Sequence, residues 1–243
     1  MVRVLIRGAT VLVTGAGGGI GSAFVARLLA RGAERVYGAG LELGRVRALG
    51  DGRVSPVELD VTDGEGIAVL AAEIERLDLL INCAGILTMA GPLAGDLEDV
   101  ERELQVHYLG SLRMIRAFLP LLEERGGAIV NMLSVAALSS MPSIGAYSSA
   151  KAAAHSMTQG LRAQLASRGV SVHGVYPGPV DTPMTKDLPE LDGPKASPLA
   201  VADAILDGVE AGHEDIFPDR MGRDVGETWR SDPKEVERRF REI

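Results

Sequence analysis

Cysteine is nearly absent from this sequence, and aromatic side chains are few. The single cysteine, Cys83, excludes a disulfide within the chain and is typical of a protein in a reducing cytoplasm. Aromatic residues make up 4% of the chain, so we expect a core built from Ala, Val, Leu and Ile. The histidines show no metal-ligand spacing among themselves or with Cys83, and this argues against a metal site.

Long apolar runs and basic blocks are missing as well. No uninterrupted apolar run reaches membrane-spanning length, and the first residues lack a signal-peptide layout, so we expect no membrane attachment and a cytoplasmic protein. The formal net charge is −8, from 25 Lys and Arg against 33 Asp and Glu, without a patch that would neutralise phosphates. These features argue against a nucleic-acid partner and favour a small-molecule ligand.

Short β-branched runs alternate with longer helical patterns along almost the whole chain. The strand candidates are continuous apolar runs, as expected for a parallel sheet covered on both faces, and they are Thr10–Thr14, Arg35–Tyr37, Arg53–Leu59, Leu77–Asn82, Ala128–Leu133, Val170–Tyr176 and Ile216-Phe217. The helical candidates are Ile20–Arg31, Gly64–Arg76, Leu97–Glu124, Ala146–Ser167 and Pro198–Ala211. We therefore predict an α/β fold: a single doubly wound Rossmann-type domain with a parallel sheet of about seven strands flanked by helices.

No composition break divides the chain, so residues 1–243 are predicted to form one domain. The Pro- and Gly-rich stretch 183–198 is the longest irregular segment and is predicted to be a substrate loop. Residues 226–243 are predicted to form a helical tail, because Asp232, Pro233 and Glu235 are typical of an N-cap, a first-turn proline and a capping-box residue.

A glycine-rich turn, Thr14-Gly15-Ala16-Gly17-Gly18-Gly19-Ile20-Gly21, connects the first strand to the first helix. Glycines here let the backbone approach a diphosphate, which then lies on the helix N-terminus. Ile20 stands where the strict G-x-G-x-x-G pattern has its third glycine, so a ligand-free glycine turn is the alternative. Asp60, at the end of the third strand, is either an acceptor for an adenine amino group or a turn former.

Tyr147 and Lys151 lie one helical turn apart in a run of small residues, so their side chains can share one face. An ammonium group beside a phenol stabilises the phenolate and lowers its pKa, which makes the phenol a candidate proton donor and acceptor. The spacing by itself is also common on ordinary surface helices.

In combination, the motifs resemble the short-chain dehydrogenase/reductase family over nearly the whole chain. The resemblance rests on Thr14-Gly15-x3-Gly19-Ile20-Gly21, Asn82-Cys83-Ala84-Gly85, Ser134, Tyr147-x3-Lys151 and Pro177-Gly178-Pro179-Val180-Asp181-Thr182. It implies an NAD(P)-dependent oxidoreductase in which Tyr147 is the general acid or base. It also implies that Lys151 lowers the Tyr147 pKa and holds the nicotinamide ribose, and that Ser134 orients the reacting oxygen.

The resemblance also implies which residues bind the cofactor and the substrate. The expected cofactor-binding residues are Gly15, Gly17, Gly19, Ile20, Gly21, Gly40, Asp60, Val61, Asn82, Ala84, Gly85, Tyr147, Lys151, Pro177, Gly178, Val180 and Thr182. The expected substrate-binding residues are Ser134, Val135, Met141 and Met184. These are mostly apolar, so a hydrophobic ketone or secondary alcohol is the expected substrate. The family is usually dimeric or tetrameric, so we expect a homodimer or homotetramer.

The sequence departs from the family pattern at three positions. His107 stands where the family has an asparagine, and it either supplies only backbone geometry or joins the proton relay as a further catalytic residue. Gly40 replaces the acidic residue that selects NAD, and Leu41 replaces an arginine usual with NADP. The missing carboxylate favours NADP, with NAD as the alternative. Cys83 replaces a second asparagine, a change that affects local packing.

A different class of function is compatible with these departures. The chain is alternatively a dinucleotide-binding regulator or interaction protein that keeps the fold without turnover. The complete set of Ser134, Tyr147 and Lys151 favours the enzyme, because a binding protein does not need a phenol placed beside an ammonium group.

Overall fold

Seven parallel strands form one sheet in the computed structural model, which describes residues 4–186 and 195–241. The strands are β1 (Thr10–Thr14), β2 (Arg35–Gly40), β3 (Val54–Glu58), β4 (Leu79–Asn82), β5 (Ala128–Met132), β6 (Ser171–Val175) and β7 (Asp215–Ile216). Their order is β3-β2-β1-β4-β5-β6-β7, so the direction of winding reverses between β1 and β4. The predicted doubly wound sheet is confirmed, and a cleft is expected where the order reverses.

Helices cover both faces of the sheet. They are α1 (Gly19–Ala30), α2 (Gly44–Arg47), α3 (Gly64–Glu73), α4 (Leu97–Leu104), α5 (Ser111–Arg125), α6 (Gly145–Leu165), α7 (Pro198–Ala211), α8 (Arg220–Ser231) and α9 (Pro233–Phe240). Phe24 of α1 and Ile205 of α7 belong to the core on one face, whereas Phe118 of α5 and Leu165 of α6 belong to the core on the other. Replacing a fully buried phenylalanine such as Phe118 by alanine typically destabilises a protein by about 3–5 kcal/mol.

The predicted helix Leu97–Glu124 is interrupted in the structure. Between α4 and α5, residues Gln105–Gly110 form a π-helical segment, in which each turn is wider than in an α-helix. Such segments are rare and occur frequently at functional sites. His107 lies in the middle of this segment with its side chain buried.

The predicted helical tail, residues 226–243, begins earlier in the structure than the sequence indicated. The α8 helix begins at Arg220, where Asp219 caps it, and Gly226 lies against the ring of Phe217. Glycines lower helix propensity, which explains why the first turns of α8 were not recognised. The α9 helix has Asp232 as its N-cap and Pro233 in its first turn, as predicted. Among the described helices, none is long and apolar enough to cross a membrane.

The predicted substrate loop 183–198 lies partly outside the described residues, which omit 187–194. Its beginning forms a short 3₁₀ turn at Pro183–Thr185. Its two ends are joined by a β-bridge between Val180 and Ala196, with hydrogen bonds of 2.9 and 3.0 Å on either side. This bridge holds together the described segments on either side of residues 187–194.

Candidate active site

A cleft of about 590 Å³ opens at the carboxyl ends of the strands, where the sheet order reverses. Most of the predicted site residues meet there. Those that line it are Gly15, Gly17, Gly19, Ile20, Gly21, Gly40, Asp60, Val61, Ala84, Gly85, His107, Ser134, Tyr147, Lys151, Pro177, Gly178, Val180, Thr182 and Met184. Gly15 and Met184, which are 169 positions apart in the chain, therefore share one cavity.

Three predicted site residues do not line the cleft. Asn82 is buried, and its amide group donates to the Asn131 side chain at 2.9 Å, so it joins the sheet strands instead. Val135 and Met141 are buried in an apolar cluster with side chains of α8 and α9. A position close to Ser134 in the sequence does not fix the direction of a side chain. Val135 and Met141 point into the apolar cluster and not into the cleft.

The glycine-rich turn has the shape that a diphosphate requires. Gly15 has a φ of +66°, which favours glycine. A Cβ atom at Gly17 would lie 1.5 Å from the Glu42 carbonyl oxygen, and one at Gly21 would lie 2.1 Å from the Gly15 carbonyl oxygen. The turn therefore exposes backbone N–H groups at the start of α1, whose first turn contains no acidic residue to repel an anion.

Thr14 connects the glycine-rich turn to the small residues after β4. Its hydroxyl oxygen accepts hydrogen bonds from the backbone N–H groups of Cys83 (3.0 Å) and Ala84 (3.1 Å). Because the contact is made to backbone, it holds the two segments at a fixed distance whatever side chain stands at position 83. The two walls of the cleft are therefore fixed together.

Asp60 makes the contacts of a turn former and also lines the cleft. Its carboxylate accepts from the backbone N–H and the hydroxyl of Thr62, both at 2.8 Å. Asp60 is therefore a turn former, which was one of the two alternatives from the sequence, and its side chain still lines the cavity.

Ser134, Tyr147 and Lys151 meet at one end of the cleft. The Lys151 ammonium donates to the Met132 carbonyl oxygen at 2.5 Å and lies 5.5 Å from the centroid of the Tyr147 ring. Ser134 follows β5, and its hydroxyl accepts from the Ala136 N–H at 3.1 Å. The β5 strand and the start of α6 thus bring the three polar groups together.

Burial dominates the proton affinities of this group. It lowers the pKa of Lys151 to about 8, and the electrostatic influence of Cys83 and Glu103 acts in the raising direction. Burial raises the pKa of Tyr147 to about 12, while a hydrogen bond with Ser134 acts in the lowering direction. The net pKa of Tyr147 is thus raised in this arrangement, because loss of hydration outweighs the hydrogen bond, and the lowering of this pKa by Lys151 stays a prediction.

His107 lies directly beside Tyr147. The two rings meet edge to face, with centroids 5.2 Å apart and planes at 89°. The Nε2 atom of His107 is 2.9 Å from the Ile86 carbonyl oxygen and 3.0 Å from a carboxylate oxygen of Glu103. Burial, then the nearby charge of Lys151, lowers the pKa of His107, so the ring is neutral near pH 7.

Glu103 and Asp219 are two acidic residues that the sequence reasoning missed. Glu103 precedes His107 by four residues and lies on the same helical face, and this spacing was the sequence signal that could have revealed it. Asp219 accepts from the backbone N–H groups of Gly178 (2.9 Å) and Gly222 (2.8 Å). It therefore joins the start of α8 to the Pro-Gly segment that borders the cleft.

The opposite end of the cleft carries charges of both signs. Arg45 of α2 and Glu42 line the cavity next to Gly40, and Leu41 is 68% exposed. A Cβ atom at Gly40 would meet nothing closer than 3.6 Å, so this position has room for a side chain.

Within residues 4–186 and 195–241, no three His, Cys, Asp or Glu side chains are grouped as a metal site requires.

Comparisons with known proteins agree with this geometry. A family model described as short chain dehydrogenase matches residues 9–192. An uncharacterized oxidoreductase of Staphylococcus saprophyticus is 33% identical over 207 residues, which cover 80% of this chain and 88% of that protein. A short chain dehydrogenase from Burkholderia cenocepacia, solved in complex with NADP, is 38% identical with a TM-score of 0.90 and covers 97% of this chain and 98% of its own.

A second solved structure extends the comparison of the fold. A short chain dehydrogenase/reductase from Burkholderia phymatum, in complex with NAD, has a TM-score of 0.83 at 23% identity. The alignment covers 97% of this chain and 96% of that one.

Proposed function

The chain belongs to the short-chain dehydrogenase/reductase family and is an oxidoreductase, and we propose that it transfers a hydride between a nicotinamide dinucleotide and a carbonyl/secondary alcohol pair. The observation that carries this proposal is the meeting of Ser134, Tyr147 and Lys151 at one end of a cleft whose other end is a glycine-rich turn.

The glycine-rich turn and its surroundings fit a dinucleotide. The backbone N–H groups of Gly17 and Gly19 would hold the diphosphate, Asp60 would accept from the adenine amino group, and Thr182 would contact the carboxamide. When bound, the nicotinamide supplies the hydride for reduction or accepts it in oxidation. Ala84 and Gly85 leave space beside it, because neither carries a large side chain.

Each polar group at the reactive end has a separate role. In reduction, the Tyr147 hydroxyl donates a proton to the carbonyl oxygen as the adjacent carbon receives the hydride. A pKa of about 12 keeps this phenol protonated at neutral pH, which suits a proton donor. Ser134 would hydrogen-bond the same oxygen and fix its position, and the Lys151 ammonium would bind the ribose hydroxyls.

The apolar lining near Tyr147 supports a hydrophobic substrate. Ile86, Pro183 and Met184 line this region, and Met184 is 42% exposed at its edge. Apolar walls with few polar groups bind apolar ketones or alcohols better than sugars or phosphorylated compounds. We assign segment 183–198 as the substrate loop on the same grounds.

The decisive experiment compares wild type with Tyr147→Phe on a panel of apolar ketones and secondary alcohols, followed by nicotinamide absorbance. Loss of the general acid should lower kcat by at least about 100-fold, with cofactor binding retained. Tyr37→Phe, which changes a tyrosine on β2 outside the cleft, is the matched control. Cofactor binding without turnover on any substrate would favour the non-catalytic regulator.

NADP is the cofactor that we propose. The absence of a carboxylate at Gly40 and the guanidinium of Arg45 favour a 2′-phosphate, although Glu42 lies close by. We expect kcat/KM to be higher for NADPH than for NADH. A tenfold or greater preference for NADH would contradict the assignment.

Gly40→Asp tests the same assignment from the other direction. There is room for the new side chain, and its carboxylate would repel a 2′-phosphate. The ratio of kcat/KM for NADPH to that for NADH should therefore fall by about tenfold or more. The control is Gly40→Asn, which introduces a neutral side chain of equal size. An unchanged ratio in Gly40→Asp would show that the 2′ position does not face residue 40.

We propose further that the whole chain acts as one dinucleotide-binding domain in a homodimer or homotetramer located in the cytoplasm. Ala152 and Gly160 are exposed on α6, and such small residues permit close approach of a helix from a second copy. The single cysteine supports the location. A monomer in light scattering at micromolar concentration would contradict the assembly.

A further inference from the structure

Glu103 has a carboxylate that is completely buried at the end of α4. One of its oxygens accepts from the Thr88 N–H (2.7 Å) and the Thr88 hydroxyl (3.1 Å), and the other lies 3.0 Å from His107 Nε2. Burying a carboxylate is unfavourable unless donors and an opposite charge compensate it. Here Thr88 supplies the donors to one oxygen, and the second oxygen, which has no hydrogen-bond partner among the described residues, has His107 Nε2 as its near neighbour. Lys151 is the nearby cation, whose pKa Glu103 raises.

The contacts of His107 determine which of its ring nitrogens carries hydrogen. Nε2 faces two acceptors, the Ile86 carbonyl oxygen and the Glu103 carboxylate, so this nitrogen is the donor. A longer contact of 3.4 Å from the Ile86 N–H to the same nitrogen is the weaker competitor. In a neutral ring, Nδ1 is then a bare acceptor.

The ring that carries this nitrogen lies edge to face against the ring of the reactive tyrosine, with centroids 5.2 Å apart. Among the described residues, Nδ1 of His107 has no hydrogen-bond partner, although the residue is only 3% exposed. The Nδ1 side of the ring faces Gly85, which has no side chain to fill the space. The other titratable groups around the pair are Tyr147 and Lys151 on α6, and Cys83 after β4.

We propose that Glu103 is a positioning residue, which fixes the Nε2–H form of His107 so that Nδ1 serves as the acceptor for the proton exchanged at Tyr147. This proposal rests on the function proposed above. In oxidation, the hydroxyl proton of Tyr147 passes to Nδ1 as the phenol oxygen takes the alcohol proton, and the carboxylate of Glu103 stabilises the imidazolium that forms. In reduction, the same proton returns to Tyr147.

The first test reads the histidine directly and needs no turnover. Side-chain ¹⁵N NMR of the labelled protein, with His107 assigned from its loss in His107→Asn, should show the Nε2–H form in wild type. Glu103→Gln should move the population towards the Nδ1–H form, because the amide group can donate to Nε2. Glu101→Gln, the same exchange at an exposed position of α4, should leave the spectrum unchanged.

The second test is a double-mutant cycle on turnover. Glu103→Gln should lower kcat about tenfold or more and shift the pH profile, with the cofactor KM little changed. In the His107→Asn background the same substitution should have no further effect on kcat. An equal loss in both backgrounds would overturn the proposal, since Glu103 would then only support the Thr88 segment.

Outcomes of the two tests separate this proposal from the assignment of function. If no carbonyl or alcohol is turned over, the proposed function fails, and the NMR result still reports on Glu103 and His107. If turnover is normal while Glu103→Gln changes neither the Nε2–H form nor kcat, the role of Glu103 alone is overturned. Glu103→Asp, which retracts the carboxylate by one methylene, serves as the second variant if Glu103→Gln does not fold.

Discussion

Lys151 has a buried ammonium group, and burial of this group opposes folding. The residue is 5% exposed, and the pKa of its side chain is lowered from 10.5 to about 8. A lowered pKa means that the unfolded chain binds this proton more tightly than the folded one. This difference in pKa between the unfolded and the folded chain corresponds to about 3 kcal/mol. The free energy of unfolding is lower by this amount below pH 8, and the loss is recovered as the pH rises towards 10.5.

Replacement of Lys151 by methionine should therefore separate activity from stability. Lys151→Met should reduce kcat/KM by at least about 100-fold and raise the free energy of unfolding at pH 7 by about 1–3 kcal/mol, as read from urea denaturation without cofactor. Lys186→Met, at an exposed lysine, is the control. A variant that is less stable than wild type would show that the hydrogen bond to the Met132 carbonyl outweighs the burial of charge.

At the residue scale, the sequence revealed the groups that belong to a motif and missed those that support them. Tyr147 and Lys151 were identified from their spacing and from the resemblance. Glu103 was missed because it stands among several other acidic residues of α4, and nothing in the sequence distinguishes the one that is buried. Val135 and Met141 were misplaced, because a position after a strand does not reveal which way its side chain points.

Among the helices, α8 contributes to the site through its first turn. Its N-cap residue, Asp219, also holds the Gly178 N–H, so the end of this helix and the Pro-Gly segment depend on one carboxylate. A sequence pattern can reveal that Asp219 is an N-cap. It does not reveal that the same carboxylate also accepts from the Gly178 N–H, because the two residues are 41 positions apart in the chain.

Asp219→Ala should therefore weaken both stability and cofactor binding. The loss of a cap and of a buried acceptor typically costs about 1–3 kcal/mol, and the freed Gly178 segment should raise the cofactor Kd. Urea denaturation and fluorescence titration measure the two effects. Asp232→Ala, which removes the cap of α9, should reduce stability and leave the cofactor Kd unchanged. Equal effects of both variants on cofactor binding would contradict the specific role of Asp219.

The interruption of the predicted helix Leu97–Glu124 shows where local reasoning stops. The periodic pattern of α4 and α5 continues through Gln105–Gly110, so the sequence predicts one helix. In this wider turn His107 meets Tyr147 of α6, a contact with a second helix that the local pattern does not encode. Tertiary packing thus determines this segment.

For the molecule as a whole, the sheet was the most predictable part. Each of the seven strands was recognised, because buried parallel strands are continuous apolar runs. Their ends were less certain, and β2 extends to Gly40 where the prediction stopped at Tyr37, since small residues carry little strand signal.

Buried histidines make the stability of the whole protein dependent on pH. Burial lowers the pKa of both His107 and His173, so the folded state keeps them neutral while the unfolded state binds protons below about pH 6.5. Their contribution is complete above that pH and is lost as the pH falls. Two such groups make the free energy of unfolding change by up to roughly 2.7 kcal/mol per pH unit, in the range between about pH 6.5 and their lowered pKa values.

Urea denaturation at intervals between pH 8 and pH 5 should show this loss of unfolding free energy. The double variant His107→Asn with His173→Gln should have a smaller slope than wild type below pH 6.5. His213→Gln, which changes an exposed histidine, is the control. An identical slope in wild type and the double variant would assign the acid sensitivity to other groups.

The contact between His107 and Gly85 limits the order in which substitutions can accumulate over evolution. A Cβ atom at position 85 would lie 2.7 Å from the His107 ring, so any side chain there displaces the imidazole. A lineage can exchange His107 for a smaller residue first and then acquire a side chain at position 85, whereas the reverse order passes through a damaged intermediate. The two positions therefore form an epistatic pair, and the glycine persists for as long as the histidine beside it does.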